Sequence, residues 1–274
     1  MGTNATKLIV TSCVVLSTVL VAIPLQGQVP PFFGYDGFNE TFINPDRWVV
    51  KQAGGDAGRE YVREVRSNRL RLVNRAYGST NSSTGGPFDG TFLDFPDSIV
   101  DSITGFKATI RVTEFEATGC STNAGGVRAE LFGDFFNTDV PTPGSHFNDV
   151  RVSVSILRLS NSTDPNDVLR VFSSVHHCHD ASCSSVTNLG FQDLGIANRG
   201  DKVTLVVLWD PGNDQFVFQR DNQPAVFLPY TVSDTAPPGS KRKGLLVASF
   251  PPNCIGPTRP FSFMEAFFDD VFTR

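Results

Sequence analysis

The sequence predicts an all-β fold, two antiparallel sheets packed as a jelly-roll sandwich, and three observations predict it. Short runs alternate apolar and polar residues, the period of a half-buried strand. The 24 glycines and 18 prolines punctuate those runs at turn spacing. No stretch sustains a helical period, and no repeat of 20 to 50 residues is visible. The 24 phenylalanines are enough to fill a large core.

In chain order the first element is an export signal and not a strand. Lys7 precedes an apolar run over 8–23 that ends at Pro24, short of the roughly 20 residues that span a bilayer. Residues 1–27 are expected to be cleaved near Gly27, taking Cys13 with them, and residues 28–274 to form one domain. Strands are expected over 105–116, 126–136, 147–157, 168–175, 202–209, 215–219, 244–250 and 261–272. In the most regular of these, Val150, Val152, Val154 and Ile156 share one face, and Arg151, Ser153 and Ser155 share the other. Asp210-Pro211-Gly212-Asn213 is a turn, because Pro presets φ and Gly or Asn tolerates positive φ, so Trp209 and Phe216 should meet across a hairpin. Residues 78–90 and 231–243 are expected to be exposed loops, with the Lys241-Arg242-Lys243 run solvated.

Composition narrows the function classes. The formal charge is −5 and the cations are scattered, which gives no electrostatic footprint for nucleic acid. Once the signal is removed, four cysteines remain, Cys120, Cys178, Cys183 and Cys254, and an even count in an exported protein points to two disulfides. The short spacing of Cys178 and Cys183 closes a small loop and leaves Cys120 with Cys254.

Asp36-Gly37-Phe38 followed by Asp46-Arg47-Trp48, the run Gly105-Phe106-Lys107-Ala108-Thr109-Ile110-Arg111-Val112, and Ala266-Phe267-Phe268-Asp269-Asp270-Val271 near the end resemble the concanavalin A-like lectin/glucanase superfamily, with its LamG-like jelly rolls. The hairpin over 205–218 fits it too. The resemblance implies that the last strand pairs antiparallel with the one over 105–116, which would bring the loop holding Cys120 beside the loop holding Cys254. It also implies a sugar groove on one concave sheet face. A structural calcium is expected away from that groove, at Asp36 and Asp270; no other cofactor is required.

The groove candidates come from strand parity. Val127, Ala129 and Leu131 alternate with Arg128, Glu130 and Phe132, so Arg128 and Glu130 stand opposite the core, and Arg151 and Arg170 have the same outward parity. Together they suit an anionic polysaccharide. Arg128-Ala129-Glu130-Leu131 is similar to a motif of alginate lyases, in which Arg neutralises a uronate carboxylate and His or Tyr moves the proton; His176 is the candidate here. The Tyr-containing C-terminal signature of those lyases is absent from 261–266. Laminarinase-like hydrolases carry two Glu with an Asp between them on one strand, because retaining hydrolysis needs two carboxyls close together. Glu114 and Glu116 are the nearest approach, without the Asp and with the parity of the core residues Phe106 to Val112. His176-His177-Cys178-His179-Asp180 invites a metal, yet neighbouring side chains on a strand point to opposite sides, and a disulfide would use Cys178 and Cys183. Tyr61, Tyr77 and Phe132 are candidate groove aromatics.

The expectation is a secreted, monomeric carbohydrate-binding or surface-interaction module whose partner is a polysaccharide or glycan, with no nucleic acid and no membrane once the signal is removed. The alternatives are a polysaccharide-degrading enzyme, hydrolase or lyase, using Glu130, Arg128 and His176, and a non-catalytic structural extracellular protein.

Overall fold

The computed structural model describes residues 31–53 and 59–274. The export signal expected over 1–27 lies outside the described residues. The strands are β1 Phe33–Asp36, β2 Val49–Ala53, β3 Arg59–Val65, β4 Leu70–Tyr77, β5 Asp89–Asp94, β6 Gly105–Ala117, β7 Gly126–Asn137, β8 Asp149–Leu159, β9 Val168–Cys178, β10 Val186–Asn198, β11 Val203–Asp210, β12 Gln215–Arg220, β13 Val226–Pro229, β14 Lys243–Phe250 and β15 Phe261–Thr273. They form two antiparallel sheets, the layout of a jelly-roll sandwich. The first runs β13-β12-β11-β6-β15-β4-β3 with β1 paired to β15, and the second runs β10-β9-β8-β7-β14-β5-β2. No helix among the described residues is long and apolar enough to cross a membrane.

The expected pairing of the last strand with 105–116 is present, from Thr273 opposite Phe106 to Ser262 opposite Ala117. At its end sits the disulfide Cys120–Cys254, and the second disulfide is Cys178–Cys183. Trp209 faces Phe216 across the β11–β12 hairpin, closed by a 3-10 turn over Pro211–Asn213 and by Asp214 at φ +48°.

The core lies between the sheets, filled by the inward sets such as Val150, Val152, Val154 and Ile156. At one end the Asp36 and Trp48 pieces close it. The Asp36 carboxylate accepts hydrogen bonds from the Phe38 amide and the Trp48 indole, each at 2.7 Å, and the indole stacks on Phe95 at 5.0 Å.

Two β-bulges change the parity that simple alternation implies. In β6 the register against β15 slips between Val112 and Glu114, so that Phe115 turns inward and Glu114 and Glu116 turn out to solvent. The extra residue resolves the odd core parity of those glutamates, and it places them on the outer face of the first sheet. In β7 the slip falls between Asp134 and Phe136, so Phe135 and Phe136 both enter the core against Phe216 while Asp134 stays outward.

The solvated Lys241-Arg242-Lys243 run requires correction. Only Lys241 is exposed; Arg242 lies over the rings of Phe92 and Phe132, and Lys243 is 1% exposed and inside the sandwich. Lys243 opens β14 with the inward parity of Leu245 and Val247, which a loop assignment hides.

Candidate functional site

The outer face of the second sheet is assembled by register. One cross-strand row reads Phe172, Ser155, Glu130, Leu246, Phe92, Lys51, and the next reads Phe191, Ser174, Ser153, Phe132, Gly244, Asp94. Serines therefore occupy the middle strands and phenylalanines both flanks. Small side chains between large ones on a pleated face leave a trough. On one flank Phe191 stacks on Phe172 at 5.2 Å; on the other Phe88 and the Phe92–Phe132 pair stand under Arg128 and Arg242. A third row, Asn188, His176, Arg151, Asp134, lies beyond, and Arg170, Leu157 and Arg128 form a row on the opposite side.

Arg128, Glu130, Arg151 and His176 line one cavity of about 230 Å³ with Phe88, Phe132 and Arg242. Strand parity groups Arg128, Glu130 and Arg151, and His176 joins them from the resemblance to the lyases. Arg170 shares their outward face but is held elsewhere, at 2.6 Å from Asp164 and 3.7 Å from Asp193, and does not line the cavity. Tyr61 and Tyr77 belong to β3 and β4 of the first sheet, so of the three candidate aromatics only Phe132 reaches the trough. Phe88 and Arg242 were missed because both lie in segments whose Gly, Ser, Pro and charge content reads as loop.

Each arginine here rests on a buried carboxylate. Arg128 lies 3.1 Å from Glu130, Arg151 lies 2.9 Å from Asp134, and Arg242 lies 2.9 Å from Asp94. Glu130 is 2% exposed and also accepts a 2.8 Å hydrogen bond from the Ser155 hydroxyl. The carboxylates form the base and the guanidiniums the surface that a ligand meets. Burial works to raise the Asp134 pKa. The Arg151 charge and hydrogen bonds from His146 and Arg151 override it and hold it at about 2, against an ordinary 3.8.

A folded value below the unfolded one means that the contribution of Asp134 to stability is whole above about pH 4 and is lost as pH falls through about 2. The shift corresponds to about 2 kcal/mol. Urea melts of wild type and Asp134→Asn between these pH values are expected to converge as pH falls. Parallel curves would remove Asp134 from the acid sensitivity.

His176 is the titratable group aimed at the trough. Burial lowers its pKa first, and the charges of Arg128 and Arg151 lower it further, so the ring is neutral at pH 7. Its Nδ1 is buried and has no hydrogen-bond partner among the described residues. His177 points the other way, as strand parity requires, and bonds Thr138 at 3.0 Å, while His179 bonds Thr187 at 2.7 Å. The Cys178–Cys183 loop contributes Ser182 to the cavity wall.

The metal-capable cluster among the described residues is Asp134, His146 and Asp149. Its donors are already engaged: Asp134 by Arg151 and His146, and Asp149 by the Gly239 and Ser240 amides and the Asn137 side chain. A cation there would have to displace Arg151. Asp36 and Asp270 come close in register, Asp36 facing Val271, but no group of three metal-capable side chains forms around them among the described residues. Both Asp36 carboxylate oxygens accept hydrogen bonds, from the Phe38 amide and the Trp48 indole.

No family model matches the chain, and no curated protein matches it. Among solved structures, the potassium-bound carbohydrate recognition domain of Emp46p is similar at 12% identity over 87% of this chain and 96% of that one, with a TM-score of 0.42. A family 16 endo-glucanase from Bacteroides ovatus gives 11%, 85%, 98% and 0.41 in the same order. The alginate lyase from Alteromonas sp. 272 gives 11%, 89%, 93% and 0.37.

Proposed function

We propose that the chain is an exported polysaccharide-binding module that holds its glycan in the trough of the second sheet. The observation that carries this reading is the cross-strand layout, with a serine floor between phenylalanine flanks and partly exposed guanidiniums over buried carboxylates. Phenylalanine faces suit the apolar faces of sugar rings, and hydroxyls and guanidiniums suit their polar edges. Two disulfides fit an oxidising, extracytosolic compartment.

A hydrolase is not favoured. Retaining hydrolysis needs two carboxyls about 5 Å apart, whereas Glu130 is covered by Arg128 and Ser155, and Asp94 and Asp134 are each held by an arginine. A polysaccharide lyase is the second reading, favoured by one observation: neutral His176 with an unpartnered Nδ1, under the influence of Arg128 and Arg151. Such a histidine can take the proton α to a uronate carboxylate that the arginines neutralise. Expulsion of the glycosidic oxygen also needs a proton donor, and no tyrosine lines the cavity among the described residues. A purely structural protein has no need of the trough.

Native electrophoresis of the disulfide-intact protein through gels holding neutral or uronate-rich polysaccharide tests these readings together. Retardation with polymer intact is expected, and Arg128→Ala should lower the affinity about tenfold. Clearing of a uronate polymer with gain of ultraviolet-absorbing unsaturated ends, lost in His176→Ala, would establish the lyase instead. Unretarded migration in every polymer would overturn both.

A further inference from the structure

Beyond the trough the β7–β8 and β13–β14 loops enclose a second cavity, of about 570 Å³. Its walls are prolines, Pro141 and Pro143 from one loop and Pro237 and Pro238 from the other. The loops are pinned where they meet. Asp149 accepts from the Gly239 and Ser240 amides at 2.7 and 2.9 Å, and the Gly144 amide donates to the Gly239 carbonyl at 2.8 Å. A Cβ on Gly239 would stand 2.6 Å from the Ser145 carbonyl oxygen and 2.7 Å from that of Thr142, so only glycine permits this approach. Fixed loops with stiff walls make a preformed site, and its volume lies within the range of small-ligand pockets, about 300–1,000 Å³.

His146 and Arg242 line both this cavity and the trough, so the two adjoin. Three cations, Lys51, Lys241 and Arg242, and one carboxylate, Asp97, line the cavity. Arg242 and Lys51 share a single carboxylate, Asp94, at 2.9 and 3.4 Å; Asp94 is fully buried and both cations are partly exposed. Lys241 on the rim pairs with exposed Asp101 and feels the charge of Asp97, surface interactions of little worth that a ligand can replace. A protein of net charge −5 thus lines this cavity with more cations than carboxylates.

We infer that the proline-walled cavity is a second saccharide subsite, which takes an anionic sugar unit of the chain lying in the trough. This rests on the trough being the polysaccharide site. The apolar walls receive the ring, and Lys51, Lys241 and Arg242 meet its carboxylate or sulfate. Affinity should therefore grow with chain length, and more for anionic chains than for neutral ones.

The test is isothermal titration of the disulfide-intact protein with oligouronate dimers and hexamers, a sulfated hexamer and a neutral hexamer. In Lys51→Ala/Lys241→Ala the anionic hexamers should weaken about tenfold while the dimer is unchanged, and the Lys51→Arg/Lys241→Arg pair should restore them. The two anionic hexamers distinguish carboxylate from sulfate as the preferred group. If Arg128→Ala weakens the hexamers but the double alanine variant does not, the cavity is no subsite and the trough reading stands. If the neutral hexamer weakens as much as the anionic ones, the anionic class is wrong. If no oligosaccharide binds the wild type, the trough reading itself fails.

Discussion

Replacing both Cys120 and Cys254 by alanine is expected to lower the free energy of unfolding by about 5 kcal/mol, the largest single effect in this protein. The bond joins residues 134 apart in sequence and sits at the end of the β6–β15 ladder, whose own strands are brought together from farther still. In the chain-entropy account, a cross-link restricts the unfolded chain in proportion to the logarithm of the loop it closes. The Cys178–Cys183 bond, across a separation of 5, closes a far smaller loop and is expected to be worth about 2 kcal/mol. Urea titrations of the two double-alanine variants, with slopes compared to reveal any change in the unfolded state, check this ordering. Equal losses in the two variants would show that loop length does not govern stability here.

Lys243 is expected to make the protein more stable as the solution becomes more basic. Its ammonium group lies inside the sandwich, donating at 2.8 Å to the carbonyls of Val100 and Ile103 beside the Phe135 ring. Burial lowers its pKa from 10.5 to about 8, against the weaker opposing pull of Asp101 and Asp134. Between those two values the unfolded chain holds the proton and the folded one does not, so stability rises with pH across that window. The shift corresponds to about 3 kcal/mol. Unfolding free energies measured from pH 7 to 10.5 should show this rise in the wild type and not in Lys243→Met. The difference between the two curves cancels the titration of every other group, and a flat difference would show that the lysine titrates as it does in water.

Period-two alternation is a property of one strand at a time, and that much was legible in the chain. Val150 to Ile156 against Arg151 to Ser155, or Ala129 and Leu131 against Arg128 and Glu130, declare which side chains face the core whatever lies next to them. The eight expected strands are all present. The paired cysteines were equally legible, because four thiols with one short spacing leave a natural pairing. What no single strand carries is register. That Ser153 and Ser155 fall between Phe172 and Phe132 to make a trough depends on hydrogen-bond ladders between β7, β8 and β9.

The bulge at 135 was hidden for the same reason, and only the odd core parity of Glu114 and Glu116 hinted at the one at 113. An extra residue in one strand is defined only against its partner, and it alone decided that Glu114 and Glu116 leave the core and that Phe136 enters it beside Phe135. Lys243 and Arg242 were misplaced because a run of cations reads as solvated until acceptors appear, and theirs come from Val100, Ile103 and Asp94, some 140 residues away. The sequence by itself determined the layers, the inward and outward faces and the disulfides, since local periodicity and covalent count require no neighbour. Only the tertiary structure decided which outward residues share a site, because burial of a charge is settled by the distant group that compensates it.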